Sequence, residues 1–268
     1  MQIGISTASF FNKYALEDIP QIIAGMGASC CEVFLNTFSE YQSEYVLYLK
    51  QCLQEAKLDV YSVHPLGSQF ESQLFSLHPR QRADAFKMFE LVVKAGKELG
   101  ASCYVIHGPA SQNGVVKNME LKRIGPLTQE LCEIAKEYGL TLAWENVSWC
   151  LFNKPEFGLR LLEATKADDL RFTLDIKQAA RSGYPPLEYL RSVGDHLVNL
   201  HICDYTYLAS GQTIPLLPGE GECDLLALKQ ALHQVGYAGP AFVEVYSDMF
   251  DSNEQLQQSF EYVRRCIG

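Results

Sequence analysis

Short apolar runs that end in a polar or charged residue recur along the chain. Each run is typical of a strand buried on both faces of a parallel sheet. The predicted strands are Ile3–Ser6, Cys31–Leu35, Val60–His64, Tyr104–His107, Leu140–Glu145, Phe172–Asp175, Leu197–His201 and Phe242–Val245. Between them lie segments with helical spacing, which predict helices over Asp18–Met26, Ser43–Ala56, Pro79–Leu99, Met119–Tyr138, Pro155–Ala164, Pro186–Val193, Leu225–Val235 and Asn253–Ile267.

The ends of these helices carry the residues that commonly start and stop helices. Asp18 and Asp224 are candidate N-caps, and Pro79 suits a first helical turn. Gly100 suits a helix end, whereas a Gly-Pro pair at 125–126 either kinks its helix or marks the true start. The pattern as a whole is that of alternating strand–helix units.

Eight alternating units in 268 residues suit one closed (β/α)8 TIM barrel, a single domain over residues 1–268. The rival architecture is an open doubly wound sheet. Two observations favour the barrel. No G-x-G-x-x-G fingerprint follows the first strand, and the polar strand ends belong to six different strands, which converge only if the sheet closes.

Composition narrows the classes of function. Hydrophobic residues make up 47% of the chain and charged residues 20%, as in ordinary soluble proteins. No run approaches the ~20 apolar residues of a membrane span, and the N-terminal residues lack the features of a signal peptide. We therefore expect a cytoplasmic protein with no membrane partner. A net charge of −10 argues against a nucleic-acid partner. The nine cysteines form no C-x-x-C pair and are expected to be reduced core residues.

The strand ends carry residues of the types that bind metals. Glu145, Asp175, His201 and Glu244 supply three carboxylates and one imidazole. This oxygen-rich set suits Mn²⁺, Co²⁺ or Mg²⁺, and Zn²⁺ is a further alternative. His64 and His107 end two other strands, where they are expected either to complete a second metal site or to contact substrate.

The order of these residues, with the segments SVHP, VIHGP, WEN, LDIKQ, LHICD, PGEGECD and VEV, resembles the xylose isomerase-like barrel superfamily over essentially the whole chain. That superfamily includes sugar and sugar phosphate isomerases and epimerases, two kinds of dehydratase and the type IV apurinic endonucleases. The resemblance implies a metal bound by Glu145, Asp175, His201 and Glu244. It also implies that the two glutamates move the substrate protons.

Further residues near the predicted strand ends are candidates for substrate contacts or a second metal site. They are His64, His107, Asn146, Trp149, Lys177, Gln178 and Glu220. Two positions depart from the pattern of the superfamily. Gln178 stands where a histidine is common, and Tyr207 stands where ketose 3-epimerases carry an arginine. These departures count against the ketose 3-epimerase subgroup and against the third zinc of the endonucleases.

The leading hypothesis is a metal-dependent isomerase or epimerase of a small sugar, sugar acid or sugar phosphate. Glu145 and Glu244 would transfer protons through a metal-stabilised enediolate. The alternatives are a dehydratase of the inosose or 3-dehydroshikimate type, an endonuclease-like metal-dependent phosphodiesterase, and a non-catalytic sugar-binding barrel. The sequence does not identify the substrate. It also does not determine the oligomeric state, and a homo-oligomer is one alternative.

Overall fold

Eight parallel strands close into a barrel, as the alternating pattern predicts. A computed structural model describes residues 1–67, 70–111 and 118–268, without the side chains of residues 118 and 119. The barrel strands are β1 (Ile3–Ser6), β2 (Cys30–Leu35), β3 (Asp59–Pro65), β4 (Cys103–Ile106), β5 (Thr141–Glu145), β6 (Arg171–Asp175), β7 (Leu197–Ile202) and β10 (Ala241–Val243). Strand β10 pairs with both β7 and β1, which closes the sheet.

Helices surround the barrel and connect its strands. They are α1 (Ile19–Gly25), α2 (Ser43–Glu55), α3 (Glu71–Leu74), α4 (Pro79–Leu99), α5 (Asn118–Glu137), α6 (Pro155–Thr165), α7 (Ile176–Arg181), α8 (Pro186–Val193), α9 (Leu225–Gln234) and α10 (Asn253–Ile267). Helix α5 continues through Pro126, so the Gly-Pro pair does not mark its start. In the part of the chain that is described, no helix is long and apolar enough to cross a membrane.

Successive residues of each barrel strand point alternately outward to the helices and inward to the barrel interior. Residues such as Leu142 and Trp144 on β5 point outward and pack in the main core against the helices. The residues between them point inward, where Ala143 packs with Cys103 and Val105 in a small apolar layer. Glu145 follows Ala143 on the same inward face. One pattern therefore buries the outer face of each strand and brings its last inward residue to the carboxyl-terminal mouth of the barrel.

Most of the predicted helix ends are confirmed. Gly100 has a φ of 86° at the end of α4, and Pro79 begins that helix. The Asp224 carboxylate accepts the backbone N–H groups of Leu226 and Ala227. Asp18 also occupies the N-cap position of α1, but its side chain makes no capping hydrogen bond.

The segment after β7 contains a hairpin that the sequence did not predict. Its strands are β8 (Asp204–Tyr207) and β9 (Thr213–Leu216), which pair in antiparallel fashion. The buried Asp204 carboxylate accepts the N–H of Tyr205 and also holds the Gly-rich loop by the N–H groups of Gly219, Gly221 and Cys223. The glycines of this loop thus let backbone approach Asp204 rather than a ligand.

We predict that Asp204→Ala releases this loop. The change leaves four N–H groups without their charged acceptor, at a cost on the order of 3 kcal/mol in the free energy of unfolding. Chemical denaturation should show the loss, and limited proteolysis should cut within residues 217–223. The exposed Asp195 offers a matched control, since Asp195→Ala removes a carboxylate from the surface. Equal stability of the two variants would contradict the anchoring role of Asp204.

Candidate active site

The four residues predicted to share a metal ion come together at the mouth of the barrel. Glu145, Asp175 and His201 lie on β5, β6 and β7, and Glu244 directly follows β10. Each offers one ligand atom, and the four atoms lie within 4.8 Å of one another. The first three side chains are at most 2% exposed and that of Glu244 is 14% exposed. A set this compact has the dimensions of a site for one ion.

The His201 imidazole lies between carboxylates. Its Nδ1 is 2.6 Å from Glu244 Oε2 and 3.1 Å from Glu145 Oε1. Its Nε2 is 3.1 Å from Glu32 Oε2 on β2. With Nε2 directed at Glu32, Nδ1 is the nitrogen that faces Glu145 and Glu244 and that would bind an ion once it has lost its proton. A carboxylate behind a metal-binding histidine orients the ring and raises its basicity.

Glu32 is a residue beside the ligand cluster that the sequence analysis missed. It is fully buried and accepts hydrogen bonds from Ser6 Oγ (3.1 Å), Ser62 Oγ (2.7 Å) and Asn199 Nδ2 (3.0 Å). These three donors come from three other barrel strands, so the carboxylate holds the interior together beneath the site. The signal was a charge in the middle of the apolar run CCEVFL, where burial is costly unless the charge is paired.

Unused oxygen atoms indicate that the site fits a divalent cation. Glu145 Oε2, Asp175 Oδ2 and Glu244 Oε2 are buried, and none takes a hydrogen bond from a described residue, although nitrogen atoms lie at ion-pair distance. Buried polar atoms without hydrogen bonds are uncommon and often mark a missing ion. Three carboxylates and one imidazole are the donor set that such an ion requires.

A second group of candidate ligands shares Glu145. Glu145 Oε2 lies 2.9 Å from His107 Nε2 and 3.3 Å from His64 Nε2. Behind His107 stands Glu71 of α3, a buried carboxylate that accepts the backbone N–H of His107 at 3.0 Å. A Cβ atom added at Gly67 would lie 2.7 Å from His107 Nδ1, so this approach needs glycine. Nothing in the sequence around Glu71 predicts that its carboxylate lies behind His107.

The charges in the site shift each other's protonation. Burial would lower the pKa of His201, but the surrounding glutamates raise it well above its usual value. Burial would also lower the pKa of His107, but Glu145 raises it to about 9. For Glu145, His201 and His107 outweigh burial and lower the pKa well below its usual range. Protonated imidazoles thus neutralise carboxylates that a metal ion would otherwise neutralise.

A cavity of about 510 Å³ opens above this cluster. Of the four residues in the proposed metal site, the two glutamates line the cavity, whereas Asp175 and His201 lie deeper. Phe11, Phe34 and Trp149 add aromatic side chains to its lining. A concave site with apolar side chains and a few polar groups is the usual form of a small-molecule site.

The remaining predicted contact residues divide into two groups. Trp149, Lys177 and Gln178 line the cavity, as do His64 and His107.

Three other residues lie outside the cavity lining. The buried Asn146 side chain exchanges two hydrogen bonds with the backbone of Asp175, and so ties β5 to β6. Glu220 is exposed on the Gly-rich loop, and Tyr207 is exposed on the hairpin. Asn146 therefore positions the backbone of Asp175 and does not line the cavity. Among the described residues, Glu220 is not part of the cavity lining either.

We predict that Glu32→Gln weakens metal binding. The amide is neutral and has one acceptor oxygen instead of two, so it cannot serve all four neighbours of the carboxylate and the imidazole loses its charged partner. Loss of such a supporting carboxylate typically costs about 10–100-fold in metal affinity. Calorimetric titration with Mn²⁺ should show this fall, whereas Glu90→Gln on the exposed face of α4 should bind as the parent does. Unchanged affinity in a folded Glu32→Gln protein would contradict the prediction.

We further predict that metal binding releases protons. The pKa of His201 is raised, so this imidazole is protonated at neutral pH and must lose its Nδ1 proton to bind an ion. Affinity for Mn²⁺ should therefore rise with pH between 6 and 8, by up to about tenfold per pH unit for each proton displaced. Calorimetry in buffers of different ionisation enthalpy counts the protons. A pH-independent affinity with no proton released would rule out this competition.

Comparisons with known proteins agree with this geometry. The family described as "Xylose isomerase-like TIM barrel" matches residues 20–266. The fructoselysine 3-epimerase of Shigella flexneri is 23% identical over 227 residues, which cover 82% of this chain and 80% of that protein. A D-psicose 3-epimerase structure from Clostridium cellulolyticum H10 superposes with a TM-score of 0.82 at 16% identity, covering 100% and 99% of the two chains. The zinc-bound IOLI protein superposes with a TM-score of 0.81 at 19% identity, covering 98% and 96%. Since the match extends over most of its length, the chain belongs to the xylose isomerase-like TIM barrel family.

Proposed function

We propose that the protein is a divalent-metal-dependent epimerase or isomerase of a small sugar, sugar acid or sugar phosphate. The observation that carries this proposal is the division of the metal-site residues. Glu145 and Glu244 belong to the ligand cluster and also line the cavity, whereas Asp175 and His201 are not among its lining residues. These two carboxylates can therefore contact a bound substrate as well as an ion. Relatives that are sugar epimerases support the same reaction class.

The expected cation is Mn²⁺, Co²⁺ or Mg²⁺, with Zn²⁺ as a further alternative that the zinc-bound relative supports. Glu145, Asp175, His201 and Glu244 would hold it. When bound, it supplies a Lewis acid that polarises a substrate carbonyl and so acidifies the neighbouring C–H bond.

Glu145 and Glu244 then serve as the acid and base groups. They stand three strands apart around the barrel, on either side of His201. The pKa of Glu244 is lowered to about 2, because His201 and Lys177 outweigh the effect of burial, and that of Glu145 is also low. Both are ionised at neutral pH, so either can accept the substrate proton, and the other must take up a proton from solvent before it can donate one. Return of a proton by the other glutamate inverts the carbon, and return to a neighbouring carbon isomerises the substrate.

The dehydratase alternative uses the same first step. Removal of the proton followed by loss of a β-hydroxyl group gives an unsaturated product and water. Mass spectrometry of the products separates this outcome from epimerisation, which leaves the mass unchanged in H₂O.

The group of His64, His107 and Glu145 favours one further candidate, a two-metal phosphodiesterase. The net charge of −10 and Gln178 in place of the histidine weigh against it. Metal analysis and an abasic DNA duplex test this candidate together. One ion per chain and no strand cleavage support the epimerase. Two zinc ions with cleavage that is lost in His107→Ala would overturn it. An intact barrel that binds sugar but turns nothing over would be the non-catalytic alternative.

We predict that Glu145→Gln and Glu244→Gln each stop turnover while the barrel still folds. The parent protein, loaded with Mn²⁺ and given ketoses, keto acids and inososes in D₂O, should place deuterium on the carbon next to the carbonyl. In the two variants turnover should fall by at least about 10³-fold, since each removes an acid–base group and a ligand. Nuclear magnetic resonance measures the deuterium, and metal analysis measures the ion retained.

The matched control is Glu90→Gln, which should exchange deuterium at the parent rate. If a variant retains metal and still allows exchange without inversion, the glutamate that it lacks serves the second face of the substrate. Full turnover in metal-loaded Glu145→Gln would exclude Glu145 as the base. Turnover of a substrate by the parent protein with no deuterium incorporated would instead indicate hydride transfer between carbons.

A further inference from the structure

One wall of the cavity is formed by helix α7 and the turn that follows Glu244. Lys177 and Gln178 lie in the first turn of this helix, and Arg181 follows Lys177 by four residues on the same helix face. The Tyr246 ring stands against them, 4.7 Å from Lys177 Nζ and 5.5 Å from the Arg181 guanidinium carbon. Lys177, Gln178 and Tyr246 all line the cavity.

Lys177 is the unusual member of this wall. Its side chain is 2% exposed, although a lysine is rarely buried unless its charge is paired. Its Nζ lies 3.2 Å from Asp175 Oδ2 and 3.7 Å from Glu244 Oε1. A divalent cation held by Asp175 and Glu244 would be neutralised by the same negative charge that now neutralises the Lys177 ammonium group. The loaded site would then leave Lys177 with positive charge available to a ligand.

Gln178 presents a donor to the same space. Its Oε1 accepts the N–H of Ser148 at 3.2 Å and the Oγ–H of Ser148 at 2.8 Å. These two bonds fix the amide orientation, so Nε2 is the end left for the cavity. Nε2 makes no hydrogen bond with any described residue, and Gln178 is 8% exposed.

Arg181 adds a second cation through its contact with Tyr246, although Arg181 itself is not among the residues that line the cavity. One of its nitrogen atoms donates to Tyr246 Oη at 2.6 Å, and the side chain is otherwise exposed. The Tyr246 hydroxyl accepts this bond and can donate its own proton elsewhere. The wall therefore offers donors from four side chains, two of them cationic. The acidic Asp248 also borders the cavity; it is exposed, as Arg181 is, so solvent screens both charges and the buried Lys177 is the stronger cation.

We infer that this wall, defined by Lys177, Gln178, Arg181 and Tyr246, binds an oxyanion carried by the substrate, either a carboxylate or a phosphate. A row of donors with two positive charges is matched by a group that only accepts hydrogen bonds and carries negative charge. A neutral sugar presents hydroxyl groups that donate as well as accept, and it would leave the cations unmatched. This inference rests on the proposed function and narrows its substrate class to acidic sugars or sugar phosphates.

The test uses three ligands that share one ketose head and differ at C6. D-fructose carries a hydroxyl group there, D-fructuronate a carboxylate and D-fructose 6-phosphate a phosphate. Binding to the Mn²⁺-loaded protein is measured by calorimetry at 50 and 200 mM NaCl. At least one anionic ligand should bind at least tenfold more tightly than D-fructose, and its advantage should shrink at the higher salt concentration. The preferred anion decides between carboxylate and phosphate.

Two variants assign any preference to this wall. Arg181→Gln and Lys177→Gln should each reduce the affinity for the anionic ligand toward that for D-fructose. Arg191→Gln is the matched control, because Arg191 is exposed on α8 and borders a groove between α8 and α9 outside the cavity. Lys177→Gln also alters the surroundings of Asp175, so its Mn²⁺ affinity is measured separately, whereas Arg181 contacts no metal-site residue.

Deuterium exchange with the same three ligands separates this inference from the proposed function. Equal affinity for all three, or an anion preference that survives in Arg181→Gln and Lys177→Gln, overturns the oxyanion subsite. Exchange with D-fructose as fast as with both anions also overturns it, while supporting the epimerase. A preference for an anion that depends on Lys177 and Arg181, with no exchange in any ligand, supports the subsite and counts against the proposed reaction.

Discussion

The contact between His201 and three buried carboxylates is the interaction on which the interior of this barrel depends. Glu145 and Glu244 approach one ring nitrogen, and Glu32 accepts a hydrogen bond from the other. Four charged groups without solvent would be strongly destabilising if any one lacked its partner. The donors around Glu32 come from β1, β3 and β7, so the network also fixes where these strands stand relative to one another. The same side chains therefore support the fold and form the candidate site.

The sequence predicted the barrel and the meeting point of the candidate ligands because both follow from local patterns. An apolar run with a charged end describes a strand that packs outward and presents a polar side chain at the barrel mouth, and that description holds for Glu145, Asp175 and His201. Glu244 and His107 lie one residue past the ends of their strands and still join the cluster. The alternation of inward and outward residues was sufficient to place these side chains.

Other parts depend on contacts between distant segments and have no local pattern. Glu71 reaches His107 across 36 residues, and nothing in its neighbourhood distinguishes it from a surface glutamate. The hairpin of β8 and β9 is held to the Gly-rich loop by Asp204, a residue that reads in isolation as an ordinary turn former. Asn146 was expected at the substrate, yet its amide exchanges two hydrogen bonds with the Asp175 backbone. In each case the partner decides the role, and the partner lies elsewhere in the chain.

The hydrogen bonds between Gln178 and Ser148 constrain how this site can change by mutation during evolution. The superfamily often carries histidine at the position of Gln178, but here its side-chain oxygen accepts two hydrogen bonds from Ser148. An imidazole offers at most one acceptor nitrogen, in a different place, so a single replacement would leave the Ser148 N–H or hydroxyl without its partner. A route between the two forms of the site therefore passes through both positions, and the order of the two changes matters. The segments that follow β5 and β6 therefore have to change together in evolution.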